Sequence, residues 1–313
     1  MTRIVFFGTP DVAVPSLDAL VAAADLDVVA VVTNPDRPRG RSRTPRPSAI
    51  KEAAVAADIE VWQPERGKDV AEKLRAAAPD ICAVVAYGSL LPRAVLDIPT
   101  HGFVNLHFSR LPRWRGAAPV QHAIRAGDAV TGVTTFVLDE GMDTGPIVEV
   151  TSTPIGPGET AGELLERLAV EGAPVLVRAV RDLAAGGAPT PQPETGATLA
   201  PKITNDDVAL DFSEPAARVA ALVRSAAPRP GAHTTWRGDR FKLLGAVVGE
   251  DVSDPAASPP PGTIVATASD GLVVQCGDGV IRATRVQPAG KAAMDAGAFV
   301  NGYQPDPGER LGT

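Results

Sequence analysis

Short apolar runs alternate with helical patterns along the first 180 residues of the chain. The runs that predict strands are Arg3–Phe7, Asp27–Thr33, Asp80–Ala86, Gly102–His107 and Thr131–Asp139. Helical spacing of apolar residues follows the first strand, recurs around Val70–Ala78 and fills Thr160–Ala184. Because strands that are apolar on both faces are typical of parallel sheets covered by helices, the pattern predicts an α/β domain.

The pattern changes after residue 184. Residues Ala185–Pro201 are rich in Gly, Pro, Thr and Gln, a composition typical of a linker. A helix at Pro215–Ala227 is predicted next, followed by five short strands: His233–Trp236, Phe241–Val248, Gly262–Ala266, Gly271–Cys276 and Val280–Val286. We therefore expect a Rossmann-like parallel-sheet domain at 1–184, a linker at 185–205 and a small C-terminal β-barrel (OB-like) domain at 206–313.

Length and composition agree with two globular domains. The chain has 313 residues, of which 44% are hydrophobic and 21% charged, so it has enough apolar material for two cores. No apolar run approaches the roughly 20 residues that span a bilayer, so we expect a cytoplasmic protein without a membrane segment. Cys82 and Cys276 lie in strand-like runs, which predicts reduced thiols. The four histidines show no ligand spacing, so we predict no metal.

The charge is unevenly distributed. The formal net charge of -7 argues against a protein that coats nucleic acid indiscriminately. Residues 37–51 nevertheless contain six basic residues and no acidic one. Two interpretations stay open from the pattern: a solvated face, or a loop that grips phosphates.

The richest polar segment is VNLHFSRLPRWRG, residues 104–116, which begins as a strand and continues as a loop. Side chains two apart in a strand share a face, so Asn105 and His107 emerge together at the carboxyl end of the sheet, where α/β sheets place ligands. Asn can stabilise an oxyanion and His can move a proton. For an isolated N-x-H, a polar strand end that satisfies loop backbone is the simpler interpretation.

A second cluster follows another strand at Asp139–Gly145, with sequence DEGMDTG. Asp143 is the candidate carboxylate that fixes the tautomer or the charge of an imidazole. The alternative is an Asx-turn that closes a hairpin. A nicotinamide-dependent oxidoreductase is disfavoured because the first turn is Gly-Thr-Pro rather than G-x-G-x-x-G. A non-enzymatic RNA-binding protein would leave Asn105, His107 and Asp143 without a purpose.

Together these motifs resemble the methionyl-tRNA formyltransferase family along nearly the whole chain. The matching segments are GTPD at 8–11, NPDRP at 34–38, VNLHFSRLPRWRGAAPVQ at 104–121, DEGMDTG at 139–145 and QPAGKAAM at 287–294. Phe108 and Arg110 depart from the family, which more often has a small residue and a leucine there. The resemblance implies formyl transfer from 10-formyltetrahydrofolate to the α-amine of methionine on initiator tRNA, by a monomer. The runner-up is a formyltransferase that acts on an amino sugar or a purine precursor.

The resemblance also assigns residues. The family's catalytic Asn, His and Asp fall on Asn105, His107 and Asp143, and the formal base stays open between the last two. The residues expected to contact the folate donor are Ser109, Arg110, Leu111, Pro112, Tyr87, Gly88, Leu90, Leu91 and Pro92. The residues expected to contact tRNA are Arg37, Arg39, Arg41, Arg43 and Lys291, of which Arg41 and Arg43 lead. Trp114 either stacks on substrate or packs under its loop.

Overall fold

A computed structural model describes residues 1–38, 44–250 and 259–312. The chain forms two compact units. The first comprises Met1–Gly116, Gly132–Thr153 and Leu165–Leu199. The second comprises Ala117–Thr131, Pro154–Leu164 and Ala200–Thr313.

The regular elements are numbered along the described residues. The strands are β1 (Thr2–Gly8), β2 (Leu26–Val32), β3 (Arg37–Pro38), β4 (Pro45–Arg46), β5 (Glu60–Trp62), β6 (Ile81–Val85), β7 (Phe103–His107), β8 (Val130–Val137), β9 (Ile147–Pro154), β10 (Ala232–Trp236), β11 (Asp239–Val248), β12 (Ile264–Ala268), β13 (Gly271–Gln275), β14 (Val280–Pro288) and β15 (Met294–Asp295). The α-helices are α1 (Val14–Val21), α2 (Ala49–Ala56), α3 (Ala71–Ala77), α4 (Arg93–Leu96), α5 (Pro119–Arg125), α6 (Ala161–Ala184), α7 (Ala216–Ala226) and α8 (Ala296–Tyr303). Short 3₁₀ turns lie at Asp11–Ala13, Gly67–Val70 and Asp206–Val208. None of these helices combines the length and the hydropathy that a bilayer crossing requires.

The first unit is built on a seven-stranded sheet in the order β5-β2-β1-β6-β7-β8-β9. The pairs β1/β2, β2/β5, β1/β6 and β6/β7 are parallel, as predicted. The pair β7/β8 is antiparallel, so the sheet is mainly parallel with one reversal beside the strand that carries Asn105 and His107. Continuous apolar runs favour parallel strands but do not exclude an antiparallel neighbour that is also buried on both faces, so the sequence pattern did not reveal this reversal.

Burial explains why these runs form the centre of the sheet. All five residues of β6 are buried, as are the last five of β1, so helices and loops cover both faces. Helix α6 packs closely on β7 at Gly172, where an added Cβ would lie 2.9 Å from Cδ2 of Leu106. A larger residue at this position would displace the Leu106 side chain, so Gly172 favours the close approach of α6 to the strand that carries Asn105 and His107.

The second unit contains an antiparallel sheet in the order β10-β11-β14-β13-β12, with β15 paired to β14. Its core includes an aromatic cluster of Trp236, Phe241 and Phe299, whose ring centroids lie 4.9–5.9 Å apart. The fold class is confirmed in both parts, an α/β sheet followed by a C-terminal antiparallel sheet. The strands β3, β4, β5 and β15 and the helices α2, α4, α5 and α8 were not predicted, and β9 entered only through the alternative of a hairpin after the Asp139–Gly145 turn.

Candidate active site

Strand β7 presents two polar side chains at its carboxyl end. Asn105 is half-buried, and its amide makes no hydrogen bond to the residues that the structure describes. His107, two residues on, is only 6% exposed and meets the edge of the Phe136 ring at a centroid distance of 6.4 Å. An amide without a partner beside a buried imidazole leaves a donor and a proton carrier available at one edge of the sheet.

The two ring nitrogens of His107 have different partners. Nε2 lies 2.8 Å from the carbonyl oxygen of Trp114. Since a carbonyl only accepts, Nε2 carries the hydrogen and Nδ1 is the nitrogen that gains or loses a proton. Nδ1 lies 3.6 Å from Oδ2 of Asp143. The structure therefore brings together His107 and Asp143, which are 36 positions apart in the sequence.

Opposing effects set the pKa of His107. Burial of the imidazole lowers it below the ordinary value of 6.5. The negative charge of Asp143, and next the hydrogen bond to Trp114, act in the opposite direction and are outweighed by burial. The imidazole is therefore neutral near pH 7, and Nδ1 can accept a proton.

Asp139 and Asp143 have different roles in the turn after β8. The carboxylate of Asp139 accepts from Thr144 Oγ1 at 2.8 Å and from the Gly141 N–H at 3.0 Å, and thus makes the Asx-type turn. Asp143 has a left-handed φ of 54°, and its Oδ2 accepts from the Gly116 N–H at 2.7 Å. Because Asp139 stabilises the turn, the carboxylate of Asp143 is available to face His107.

The loop after β7 is held by a side chain of its own and by one from the neighbouring strand β8. Ser109 is fully buried, and its Oγ donates to the Arg113 carbonyl at 2.6 Å. Thr134 Oγ1 donates to the Ser109 carbonyl at 2.7 Å and accepts from the Leu111 N–H at 3.0 Å. Among the four predicted donor contacts here, Ser109 and Leu111 are buried, Pro112 is half-buried and Arg110 is exposed.

The loop after β6 has one exposed and one anchored leucine. Leu90 is 94% exposed, whereas Leu91 packs against the core of the first unit. Tyr87 is buried, and Gly88 has open space where a side chain would stand. Asn34 holds this loop, because its Nδ2 donates to the Tyr87 carbonyl at 2.8 Å. Pro92, the last predicted donor contact, is exposed and precedes α4.

The predicted tRNA contacts fall in three places. Arg37 is exposed in β3, which pairs with β4. Arg39, Arg41 and Arg43 lie outside the described residues. Lys291 is exposed in the second unit, where it lines a cavity of about 200 Å³ together with Arg240 and Tyr303 among other residues.

Trp114 is half-buried and contributes through its backbone. Its carbonyl oxygen accepts from His107, and the guanidinium of Arg113 lies 4.3 Å from the centroid of its ring. Sequence reasoning missed this carbonyl, the Gly116 N–H and the side chain of Gln192, which donates to the Asp143 carbonyl at 2.8 Å. Backbone groups carry no sequence signal, and Gln192 lies in a segment of linker composition.

Comparisons with known proteins identify the family of the chain. A model of the formyl transferase family matches residues 2–180, and a model of the formyl transferase C-terminal domain matches residues 202–304. The chain therefore belongs to the formyl transferase family.

The relatives that match it along the whole length are more specific. The chain is 50% identical over 313 residues to the methionyl-tRNA formyltransferase of Thermobifida fusca (strain YX), with 99% of each chain covered. It is 48% identical over 313 residues to the methionyl-tRNA formyltransferase of Streptomyces coelicolor (strain A3(2)), again with 99% of each covered. The predicted resemblance is confirmed.

Among solved structures, the fold is similar to that of the N-formyltransferase from Helicobacter canadensis in complex with folinic acid and dTDP-3-aminofucose. The TM-score is 0.69 at 17% identity, with 92% of this chain and 100% of that chain covered. At this identity the likeness concerns the fold.

Proposed function

We propose that this protein transfers the formyl group of 10-formyltetrahydrofolate to the α-amine of methionine on initiator tRNA, in translation initiation. The observation that carries the proposal is the 50% identity to the Thermobifida fusca methionyl-tRNA formyltransferase across 99% of both chains. A formyltransferase of small amines is the weaker candidate, because the likeness to the Helicobacter canadensis enzyme is 17% identity and concerns the fold.

The residues of the β6 and β7 loops fit a folate donor. Leu90 is an apolar side chain that is 94% exposed, and Gly88, in the same loop, has open space where a side chain would stand. An apolar ring that covers Leu90 would remove this surface from water, while nearby backbone groups read the polar edge of the ring. Arg110 is exposed and cationic, which suits an acidic tail. The donor, when bound, supplies an activated formyl group on N10.

Asn105 stabilises the charge that develops during transfer. Its amide has no hydrogen bond within the described chain, so its N–H groups are free to donate to the formyl oxygen as that oxygen becomes negative. A donor aimed at charge that exists in the transition state lowers the barrier, and removal of such a donor costs about 3 kcal/mol.

His107 takes the proton of the attacking amine at Nδ1. Nε2 is committed to the Trp114 carbonyl at 2.8 Å, and burial keeps the imidazole neutral near pH 7. An amine that becomes cationic on attack loses its proton to Nδ1, and the charge of Asp143, 3.6 Å away, stabilises the imidazolium. The imidazolium then returns this proton to N10 as the bond between the formyl carbon and N10 breaks, so that tetrahydrofolate leaves as a neutral amine. We assign the formal base to His107, and Asp143 orients the base and compensates its charge.

Binding of the tRNA requires basic groups outside the site formed by Asn105, His107 and Asp143. Arg37, Arg39, Arg41 and Arg43 belong to the basic segment after β2, and Lys291 is exposed in the second unit. Guanidinium groups bind phosphate by charge and by paired hydrogen bonds, so we propose that these residues bind the acceptor arm of the tRNA. We place the reaction in the cytoplasm and expect a monomer, which light scattering of the purified protein tests.

One competition assay tests the proposal. The purified protein is given 10-formyltetrahydrofolate labelled in the formyl group with methionyl initiator tRNA, in the presence of methionyl elongator tRNA, an amino sugar nucleotide or an amine precursor of purines. We expect label on the initiator tRNA in preference to every competitor. Transfer to a small amine in place of the tRNA would refute the proposal.

A further inference from the structure

Residues 190–199 have the composition of a linker, yet both ends of this segment are hydrogen-bonded to other parts of the first unit. Ile147 and Thr190 exchange two backbone hydrogen bonds of 2.7 Å. At the other end, the Arg115 N–H donates to the Thr198 carbonyl at 2.9 Å. The segment therefore spans from the strand after the Asp143 turn to the loop after β7.

Gln192 lies between these two anchors, and every polar position of its amide is used. Nε2 donates to the carbonyl oxygens of Asp143 and Gly145, both at 2.8 Å. Oε1 accepts from Arg115, from Nε at 3.0 Å and from Nη2 at 2.6 Å. One half-buried side chain thus joins the Asp143 turn to the loop that follows His107.

We infer that Gln192 is a positioning residue, which holds the Asp143 turn so that the carboxylate of Asp143 faces Nδ1 of His107. The inference rests on the proposed function for its kinetic consequence, but not for the geometry.

The backbone of Asp143 explains why such a residue is needed. A φ of 54° costs a non-glycine residue about 1–2 kcal/mol, so the conformation persists where neighbouring groups hold it. The Gly116 N–H holds the carboxylate at 2.7 Å, and Gln192 holds the carbonyl of the same residue. Loss of either contact lets the turn relax and moves Oδ2 away from the imidazole.

The same segment also holds Trp114, whose carbonyl oxygen is the partner of Nε2 of His107. Thr198 Oγ1 accepts from the Trp114 N–H at 2.9 Å, and the Trp114 carbonyl accepts from Nε2 of His107. The 190–199 segment therefore contacts the residues that flank both ring nitrogens of His107. A segment that served only to connect two parts of the chain would not need to contact both Trp114 and Asp143.

The test compares Gln192→Glu with the matched surface change Glu194→Gln in the full-length protein. Gln192→Glu keeps the length and the acceptor for Arg115, but replaces the donating Nε2 with an oxygen that repels two carbonyls. Glu194 is exposed in the same segment. The readouts are kcat and KM for formyl transfer, and the titration of His107 by NMR of ring-labelled histidine. His101, His122 and His233 serve as internal references.

For Gln192→Glu we expect kcat to fall about tenfold, with KM for methionyl-tRNA unchanged within twofold. The titration of His107 is read in Gln192→Ala, which removes the same donors without adding a charge near the imidazole. In this variant we expect the titration to move to lower pH, because the charge of Asp143 no longer raises the pKa. Glu194→Gln should match wild type in both readouts. A His107 titration unchanged in folded Gln192→Ala would overturn the inference, even if the protein formylated no tRNA.

Discussion

Nδ1 of His107 faces Oδ2 of Asp143 at 3.6 Å, while the opposite ring nitrogen donates its hydrogen to the Trp114 carbonyl at 2.8 Å. This arrangement fixes which nitrogen titrates and which charge it meets. It gives the site a proton acceptor with an adjacent carboxylate, although His107 ends strand β7 and Asp143 lies in the turn after β8.

The pH dependence of the reaction follows from this pair. The base must be neutral, and burial lowers the pKa of His107 below 6.5, so kcat is full at neutral pH and falls as pH drops through the lowered pKa. Asp143→Asn removes the charge that raises this pKa, so the acid limb should move to lower pH while kcat itself falls. The measurement is kcat from pH 5 to 8. His233→Gln, in the second unit, should leave the limb in place; a limb that stays put in Asp143→Asn would contradict the assignment.

Replacement of Asn105 tests the oxyanion donor. Asn105→Ala should lower kcat about a hundredfold, because one donor to the developing charge is worth about 3 kcal/mol. KM for methionyl-tRNA should change less than twofold, since the contact forms in the transition state. Steady-state kinetics measure both values. The control is Asn301→Ala, at an exposed position of α8. A loss of kcat smaller than threefold would remove Asn105 from the mechanism.

Leu90 and Leu91 form a matched pair for the donor site. Leu90 is 94% exposed, so Leu90→Ala should leave stability unchanged but raise KM for 10-formyltetrahydrofolate about tenfold by the loss of an apolar contact. Leu91 packs against the core, so Leu91→Ala should lower the free energy of unfolding by about 1–2 kcal/mol. Urea titration and donor kinetics of both variants separate the roles. The idea fails if donor KM is the same in Leu90→Ala and wild type.

Sequence reasoning found the buried strands well because their apolar runs are uninterrupted. The predicted Asp27–Thr33 and Asp80–Ala86 correspond to β2 and β6, shifted or shortened by a residue or two. The predicted Thr160–Ala184 helix is α6 within one residue. Strand β5 has three residues, one of them buried, and is too short for a periodic signal.

The residues of the candidate site also divide into those that the sequence predicted and those that it did not. Asn105 and His107 share a strand, so their alternation places them on one face, and the structure puts Asp143 next to His107. Gln192 could not be predicted, since it binds carbonyl oxygens and a guanidinium from a stretch of Gly, Pro and Thr without any hydropathy pattern. Hydrogen bonds to backbone groups depend on where the chain runs, and residue type does not specify that.

The basic segment gives a prediction about affinity. Replacement of Arg41 and Arg43 by Ala should weaken tRNA binding and reduce the log–log salt slope by about 1 to 2, because fewer counterions are released. Filter binding or fluorescence titration at several salt concentrations measures both quantities. Arg75→Ala, which removes one exposed arginine from α3, is the control and should leave the salt slope at its wild-type value. Unaltered affinity in the double variant would show that the segment is a solvated face.

We propose that Asn105, His107 and Asp143 act together on a formyl group that moves to methionyl-tRNA. The most direct test is a single-turnover assay with saturating 10-formyltetrahydrofolate and methionyl initiator tRNA, run with wild type and with His107→Ala at equal tRNA occupancy. We predict transfer by wild type and a rate at least a hundredfold lower for His107→Ala, with unchanged tRNA affinity. Equal single-turnover rates for the two proteins would show that His107 takes no part in the transfer.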